Sequence, residues 1–171
     1  MATPVLGIVG WKNSGKTTLA ARLVTELTRR GYRVACVKHA HHDADIDREG
    51  TDSFRLRAAG ATEVALVTAR RWAIVHELRG NAEPALDETL SRLSPADIVI
   101  VEGYKREPMP KIEVRRLQAN QTDAMAPGDP NVVAVAADHA ADGIGQPTFD
   151  LDDVAGIADF IVELLALQAR R

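Results

Sequence analysis

The sequence is poor in features that mark several large classes of protein. It has one cysteine, Cys36, so no internal disulfide can form and a reducing compartment is expected. Aromatic side chains are scarce: two tryptophans, two tyrosines and three phenylalanines. There is no surplus of positive charge. Lysine and arginine number 21 against 24 acidic residues, a formal net charge of −3, unlike the basic footprint of a nucleic-acid binder. The longest apolar runs reach only about a third of the ~20 residues a membrane-spanning helix needs. The start, Met1-Ala2-Thr3-Pro4, carries no positive charge ahead of its apolar stretch, which argues against a signal peptide. The expectation is a cytoplasmic globule with no nucleic-acid or membrane partner. Its 171 residues, 46% hydrophobic, suffice for one domain over 1–171 with a full core.

Val5 to Val9 is wholly apolar and fits a strand buried on both faces. Thr17 to Arg30 places Leu19, Leu23, Val24 and Leu27 on one helical face, and Gly31 supplies the stop. Arg33 to Val37 reads as the next strand, completing a βαβ unit. Asp52 to Ala59 reads as a short helix. Val64–Thr68 and Trp72–Leu78 are strands joined by Ala69-Arg70-Arg71, a candidate hairpin. Pro84 fits the first position of a helix carrying Leu86, Leu90 and Leu93. Asp97–Val101 is a buried strand. Lys111–Arg115 alternates apolar and charged residues, which predicts a half-exposed strand. Asn120–Asn131, with Pro127, Gly128 and Pro130, reads as a loop, and Val132–Ala136 as another buried strand. Asp153 to Arg170 carries the stripe of a terminal helix, with Asp150 or Asp152 as its N-cap.

Gly10 to Thr17, G-W-K-N-S-G-K-T, matches G-x-x-x-x-G-K-[ST]. The two glycines permit the backbone angles that turn successive N–H groups into an anion nest. Lys16 is placed to reach the β and γ phosphates, Thr17 to offer its hydroxyl to Mg²⁺, and the following helix points its positive end at the anion. The binding segment is Gly10, Trp11, Lys12, Asn13, Ser14, Gly15, Lys16, Thr17 and Thr18. With strand before and helix after, the fold expected is a single α/β P-loop NTPase domain. Its sheet is mostly parallel and flanked by helices, with a peripheral β-hairpin as a candidate addition. D-I-V-I-V-E-G puts Glu102 at the C-terminal edge of its strand, where a P-loop protein holds the carboxylate that orders the metal. Asp97 opens the same strand and so belongs at the opposite edge.

Lys38 to Asp52 reads K-H-A-H-H-D-A-D-I-D-R-E-G-T-D. His39-x-His41-x-Asp43 partly matches a binuclear zinc signature, but Ala44 stands where that pattern needs a ligand. By its position after the second strand, the segment instead suits a switch. Asp45, Asp47 and Asp52 are candidates to complete the Mg²⁺ shell or orient a water at the γ-phosphate. Asp52 alternatively caps a helix beginning at Ser53.

These residues resemble the molybdopterin-guanine dinucleotide biosynthesis adaptor proteins, the MobB family. The likeness spans nearly the whole chain: the phosphate loop, K-H-A-H-H-D-A-D-I-D-R-E-G-T-D-S, R-R-W-A-I-V-H-E, D-I-V-I-V-E-G-Y-K and V-A-V-A-A-D. It implies a GTP-binding homodimer that assists the molybdopterin guanylyltransferase and has weak GTPase activity at most. Related partition-type ATPases carry a lysine directly after the first loop glycine, where this chain has Trp11, with Lys12 one position later. No N-K-x-D or T-K-x-D motif is present. Asp138, after the strand ending at Ala136, is the candidate to accept from guanine N1 and N2, or else is a loop charge.

The residues also fit two other readings. One is a small P-loop kinase with Arg70-Arg71 or Lys105-Arg106 over the phosphates. The other is a zinc hydrolase on the histidine segment. Trp72, Tyr104 and Glu107–Pro110 are candidate exposed residues for a partner.

Overall fold

Short strands that are apolar on both faces need a sheet covered on both sides. A computed structural model of the chain, which describes residues 3–40, 47–119, 123–141 and 145–168, shows that sheet. The chain comprises two compact units, Met1–His39 with Leu86–Arg171, and Ala40–Ala85.

The larger unit holds β1 (Val5–Val9), α1 (Lys16–Arg29), β2 (Val34–Lys38), α3 (Leu86–Ser91), β5 (Ile98–Glu102), β6 (Lys111–Arg115), β7 (Val132–Ala137), β8 (Thr148–Asp150) and α4 (Val154–Leu164). The smaller holds α2 (Asp52–Ala58) and the antiparallel pair β3 (Glu63–Val67) and β4 (Trp72–His76). The six strands of the larger unit run in the order β2-β5-β1-β6-β7-β8, every neighbouring pair parallel. Alternate residues serve opposite faces. Leu6, Ile8, Ile98 and Ile100 pack with Leu19, Leu23 and Leu27 of α1 and Ile157 and Ile161 of α4. Val99 and Val101 pack on the other side with Leu86 and Met109. Arg22–Asp152 and Arg30–Asp159 ion pairs, with the Arg30 bond to the Ala155 carbonyl, tie α1 to the α4 end of the chain.

Where sequence pattern and structure part, tertiary context is the cause. The Lys111–Arg115 strand is not half-exposed and has no open edge to pair across a dimer. It lies between β1 and β7, and Lys111, Ile112, Glu113 and Val114 are all buried. The Lys111 stem crosses β1 at Gly7, where a Cβ would stand 2.8 Å from Lys111 Cγ, and this accounts for a glycine inside that strand. Lys111 Nζ donates to the Lys105 carbonyl and to Asp129, while Glu113 accepts from the Met125 and Ala126 N–H groups. Each buried charge is thus paired. The terminal helix is capped by Asp153, which accepts from Gly156 N–H, rather than by Asp150 or Asp152, and it stops at Leu164 rather than Arg170. Helix α2 starts at Asp52 under a Thr51 cap, so Asp52 does not cap a helix at Ser53. Helix α3 begins at Leu86, two residues past Pro84. Strand β8 follows a proline and is three residues long, too short for a periodic signal.

Candidate functional site

An all-parallel sheet delivers the C-terminal ends of its strands to one edge, and the strand order fixes who meets there. Along that edge stand Lys38 of β2, Glu102 of β5, the loop leaving β1 at Gly10, Arg116 just past β6 and Asp138 just past β7.

The loop's shape follows from its glycines. A Cβ on Gly10 would come within 2.5 Å of both Ser14 Oγ and the Val114 carbonyl, so no side chain fits. Asn13 (φ 65°) and Gly15 (φ 94°) take left-handed angles, which curl the chain before α1 begins at Lys16. No side chain caps α1, whereas Thr51 and Asp153 cap α2 and α4. Lys16 Nζ donates to the Trp11 carbonyl at 2.7 Å, folding its ammonium back over the loop. Burial, and secondarily the charge of Lys38, lower its proton affinity, opposed by Glu102. Lys12, Asn13, Thr17 and Thr18 are exposed, and Ser14 is buried.

Thr17 Oγ1 donates to Glu102 Oε1 at 2.7 Å. Lys38, register partner of Glu102, places Nζ 3.3 Å from that carboxylate oxygen and 3.2 Å from Thr17 Oγ1. A hydroxyl and a carboxylate are hard oxygen donors of the type Mg²⁺ takes. Gly103 (φ 98°) and Tyr104 (φ 49°) turn the chain sharply after Glu102, and Tyr104 stacks on His39 with ring centroids 4.5 Å apart. Tyr104 is therefore half-buried and Met109 buried, rather than free for a partner, while Trp72 is exposed.

The remaining sequence candidates divide. Asp138 lies on the site edge, and its Oδ1 accepts from Leu117 N–H and His139 Nδ1. The His139 bond, foremost, holds it below the usual carboxylate range. Asp47 belongs to the smaller unit, where it accepts from Arg48 N–H and Thr51 Oγ1 and pairs with Arg57. Asp52, in that unit too, stands on the first turn of α2 beside Arg55. Asp45, with His41, His42 and Asp43, lies outside the described residues. Among the described residues, no group of three or more His, Cys, Asp and Glu is placed to hold a metal. Arg70 and Arg71 form the β3–β4 turn, their N–H groups bound by Thr68 Oγ1. Lys38 and Arg116 carry no motif and were not singled out by sequence; strand order alone reveals them.

A glycine loop between strand and helix, with a carboxylate from the neighbouring strand end bonded to the loop's threonine, defines the P-loop nucleotide-binding class. Within that class the assignment is specific. A family model described as molybdopterin guanine dinucleotide synthesis protein B, MobB, matches residues 5–138, and the chain belongs to this family. It is 38% identical over 167 residues to the molybdopterin-guanine dinucleotide biosynthesis adapter protein of Escherichia coli (strain K12), covering 96% of this chain and 95% of that one. The corresponding protein of Haemophilus influenzae is 39% identical, with 92% and 87% covered. A crystal structure titled molybdopterin-guanine biosynthesis protein B superposes with a TM-score of 0.72 at 30% identity, over 94% of this chain and 99% of that one. No described helix is long and apolar enough to cross a membrane.

Proposed function

We propose that this protein is the GTP-binding adaptor of molybdopterin guanine dinucleotide synthesis. In this role it holds Mg-GTP in the Gly10–Thr18 loop and works beside the guanylyltransferase, with slow hydrolysis at most. The observation that carries the nucleotide half is the Thr17–Glu102 hydrogen bond beside the glycine loop. The adaptor half rests on the names of the relatives. Thr17 and Glu102 would hold the metal, which would neutralise phosphate charge there and compete with the Lys38 ammonium for Glu102. Asp138, kept ionised, would accept from guanine N1 and N2. Asp45, Asp47 and Asp52 remain the candidates for a switch that senses the γ-phosphate.

The working form is a homodimer joined through the smaller unit. Val67, Trp72 and Ile74 share one face of the β3–β4 pair, and all three are exposed. Calorimetric titration with GTP, ATP and GDP, with and without Mg²⁺, tests the nucleotide, its base and the metal together. GTP is expected to bind more tightly than ATP, and Mg²⁺ to tighten it further. Equal affinity for ATP would remove the guanine assignment, and no binding by any of the three would remove the nucleotide.

A further inference from the structure

The loop is flanked by two cations that lie outside the G-x-x-x-x-G-K-[ST] pattern, Arg116 and Lys105. Arg116, past β6, lies flush against Gly15: a Cβ there would stand 2.9 Å from Arg116 Nε and 3.3 Å from Cζ. Its Nε is shut off from solvent yet has no hydrogen-bond partner. Ser14 Oγ, in a residue only 1% exposed, is unpartnered as well, and both residues line one cleft together with Trp11 and His139. Arg115 Nε, on the same cleft, is a third such atom; buried polar groups are nearly always satisfied, so these orphans beside an anion nest indicate acceptors that arrive with a ligand.

On the other flank, Lys105 sits with Nζ 3.8 Å from the centroid of the Trp11 ring. The turn at Gly103 and Tyr104 delivers it there, and the buried Lys111 ammonium clamps its carbonyl at 2.7 Å. Burial and then the charge of Lys16 lower the proton affinity of Lys105, so the two ammonium groups feel each other. Among the described residues, no carboxylate closes an ion pair with Lys16, Lys105 or Arg116. Glu102 acts on Lys16 and Glu113 on Lys105 without closing an ion pair, so these cations are held close together with no direct neutralisation, as at a polyanion site.

We propose that Arg116 and Lys105 are additional phosphate-binding residues of this site, each reaching oxygens of the nucleotide's polyphosphate chain from a strand end beside β1. The guanidinium supplies the forked donor geometry that suits phosphate, and Lys105 a point charge. This rests on the Gly10–Thr18 loop being a nucleotide site, so the test uses inorganic tripolyphosphate beside GTP.

Isothermal titration with both ligands, on the unsubstituted protein and on Arg116→Ala, Arg116→Lys, Lys105→Ala and Lys16→Ala, decides the matter. Melting curves without ligand check folding. The expected result is at least roughly tenfold weaker binding of both ligands for Arg116→Ala and for Lys105→Ala, with partial recovery in Arg116→Lys. The slope of affinity against salt should fall as well. Should Arg116→Ala melt early, Lys105→Ala and Arg116→Lys carry the comparison. Parental tripolyphosphate affinity in both alanine variants, with Lys16→Ala impaired, overturns the proposal. An unsubstituted protein that binds tripolyphosphate but not GTP overturns the guanine-nucleotide reading alone, and one that binds neither overturns both.

Discussion

Lys16 is the residue whose loss says most about the site. Removing its ammonium takes away a charge-assisted contact worth roughly 1.5–3 kcal/mol, about 10- to 100-fold in affinity. A folded Lys16→Ala variant is therefore expected to bind GTP that much more weakly by calorimetry, and unchanged affinity would remove the central assignment. Lys38 gives the opposite sign. Its ammonium lies 3.3 Å from Glu102 Oε1 and, in the proposed function, competes with the metal. Lys38→Met should strengthen Mg²⁺ binding to the GTP complex by about 1 kcal/mol, roughly fivefold, because the side chain is solvent-screened. Glu102→Gln should abolish the Mg²⁺ dependence and leave the melting temperature intact; weaker Mg²⁺ binding in Lys38→Met would contradict the shared locus. Gly10 to Thr17 was legible from sequence because its geometry is set by eight consecutive residues. Lys38 and Arg116 were not, because what makes them neighbours of that loop is the strand order β2-β5-β1-β6. Glu102 falls between: its strand was readable, its bond to Thr17 was not.

Elements were legible where their pattern is local. β1 has the bounds its apolar run predicts, and β3–β4 form the expected hairpin. β6 misled because alternation of charge and apolar residue normally means one wet face. Here Lys111 and Glu113 are instead each about 1% exposed and neutralised by Asp129 and Arg115. Terminal caps shifted because several aspartates crowd Asp150 to Asp153 and only backbone angles select among them. Helix α1 offers a test at this scale. Glu26 binds Arg29 and Arg30, and these hydrogen bonds pull its carboxyl from 4.5 down to about 2. A lowered carboxylate stabilises the folded state above its unfolded pKa, and this contribution fades as pH falls from 4.5 through about 2. Melting temperatures of the unsubstituted protein and Glu26→Gln should therefore differ at pH 7 and converge as pH approaches 2. A constant difference across that window would show that the pairs contribute nothing ionic.

For the molecule as a whole, the smaller unit sets the problem. Helix α2 buries no residue, and among the described residues β3 and β4 pair only with each other. A two-stranded sheet backed by one seven-residue helix is marginal in water. It also displays Val67 at 73% exposure, Trp72 at 66% and Ile74 at 54% on one face, an apolar patch of the kind that marks an interface. A second copy of the chain presenting the same face would supply cover under two-fold symmetry, which is the physical argument for the proposed homodimer. In such a dimer every substitution counts twice. Trp72→Asp removes two large side chains from the interface, about 3 kcal/mol or more, which raises the dimer Kd by roughly a hundredfold. Because Trp72 is already exposed in the single chain, its loss costs the monomer little, and circular dichroism should be unchanged. Analytical ultracentrifugation should then find a dimer for the unsubstituted protein and a monomer for Trp72→Asp, both still binding tripolyphosphate. If the smaller unit draws its stability from this contact, the dimer melts in a single calorimetric transition, whereas Trp72→Asp shows a separate, earlier one. A dimer that survives both Trp72→Asp and Ile74→Asp has its interface elsewhere.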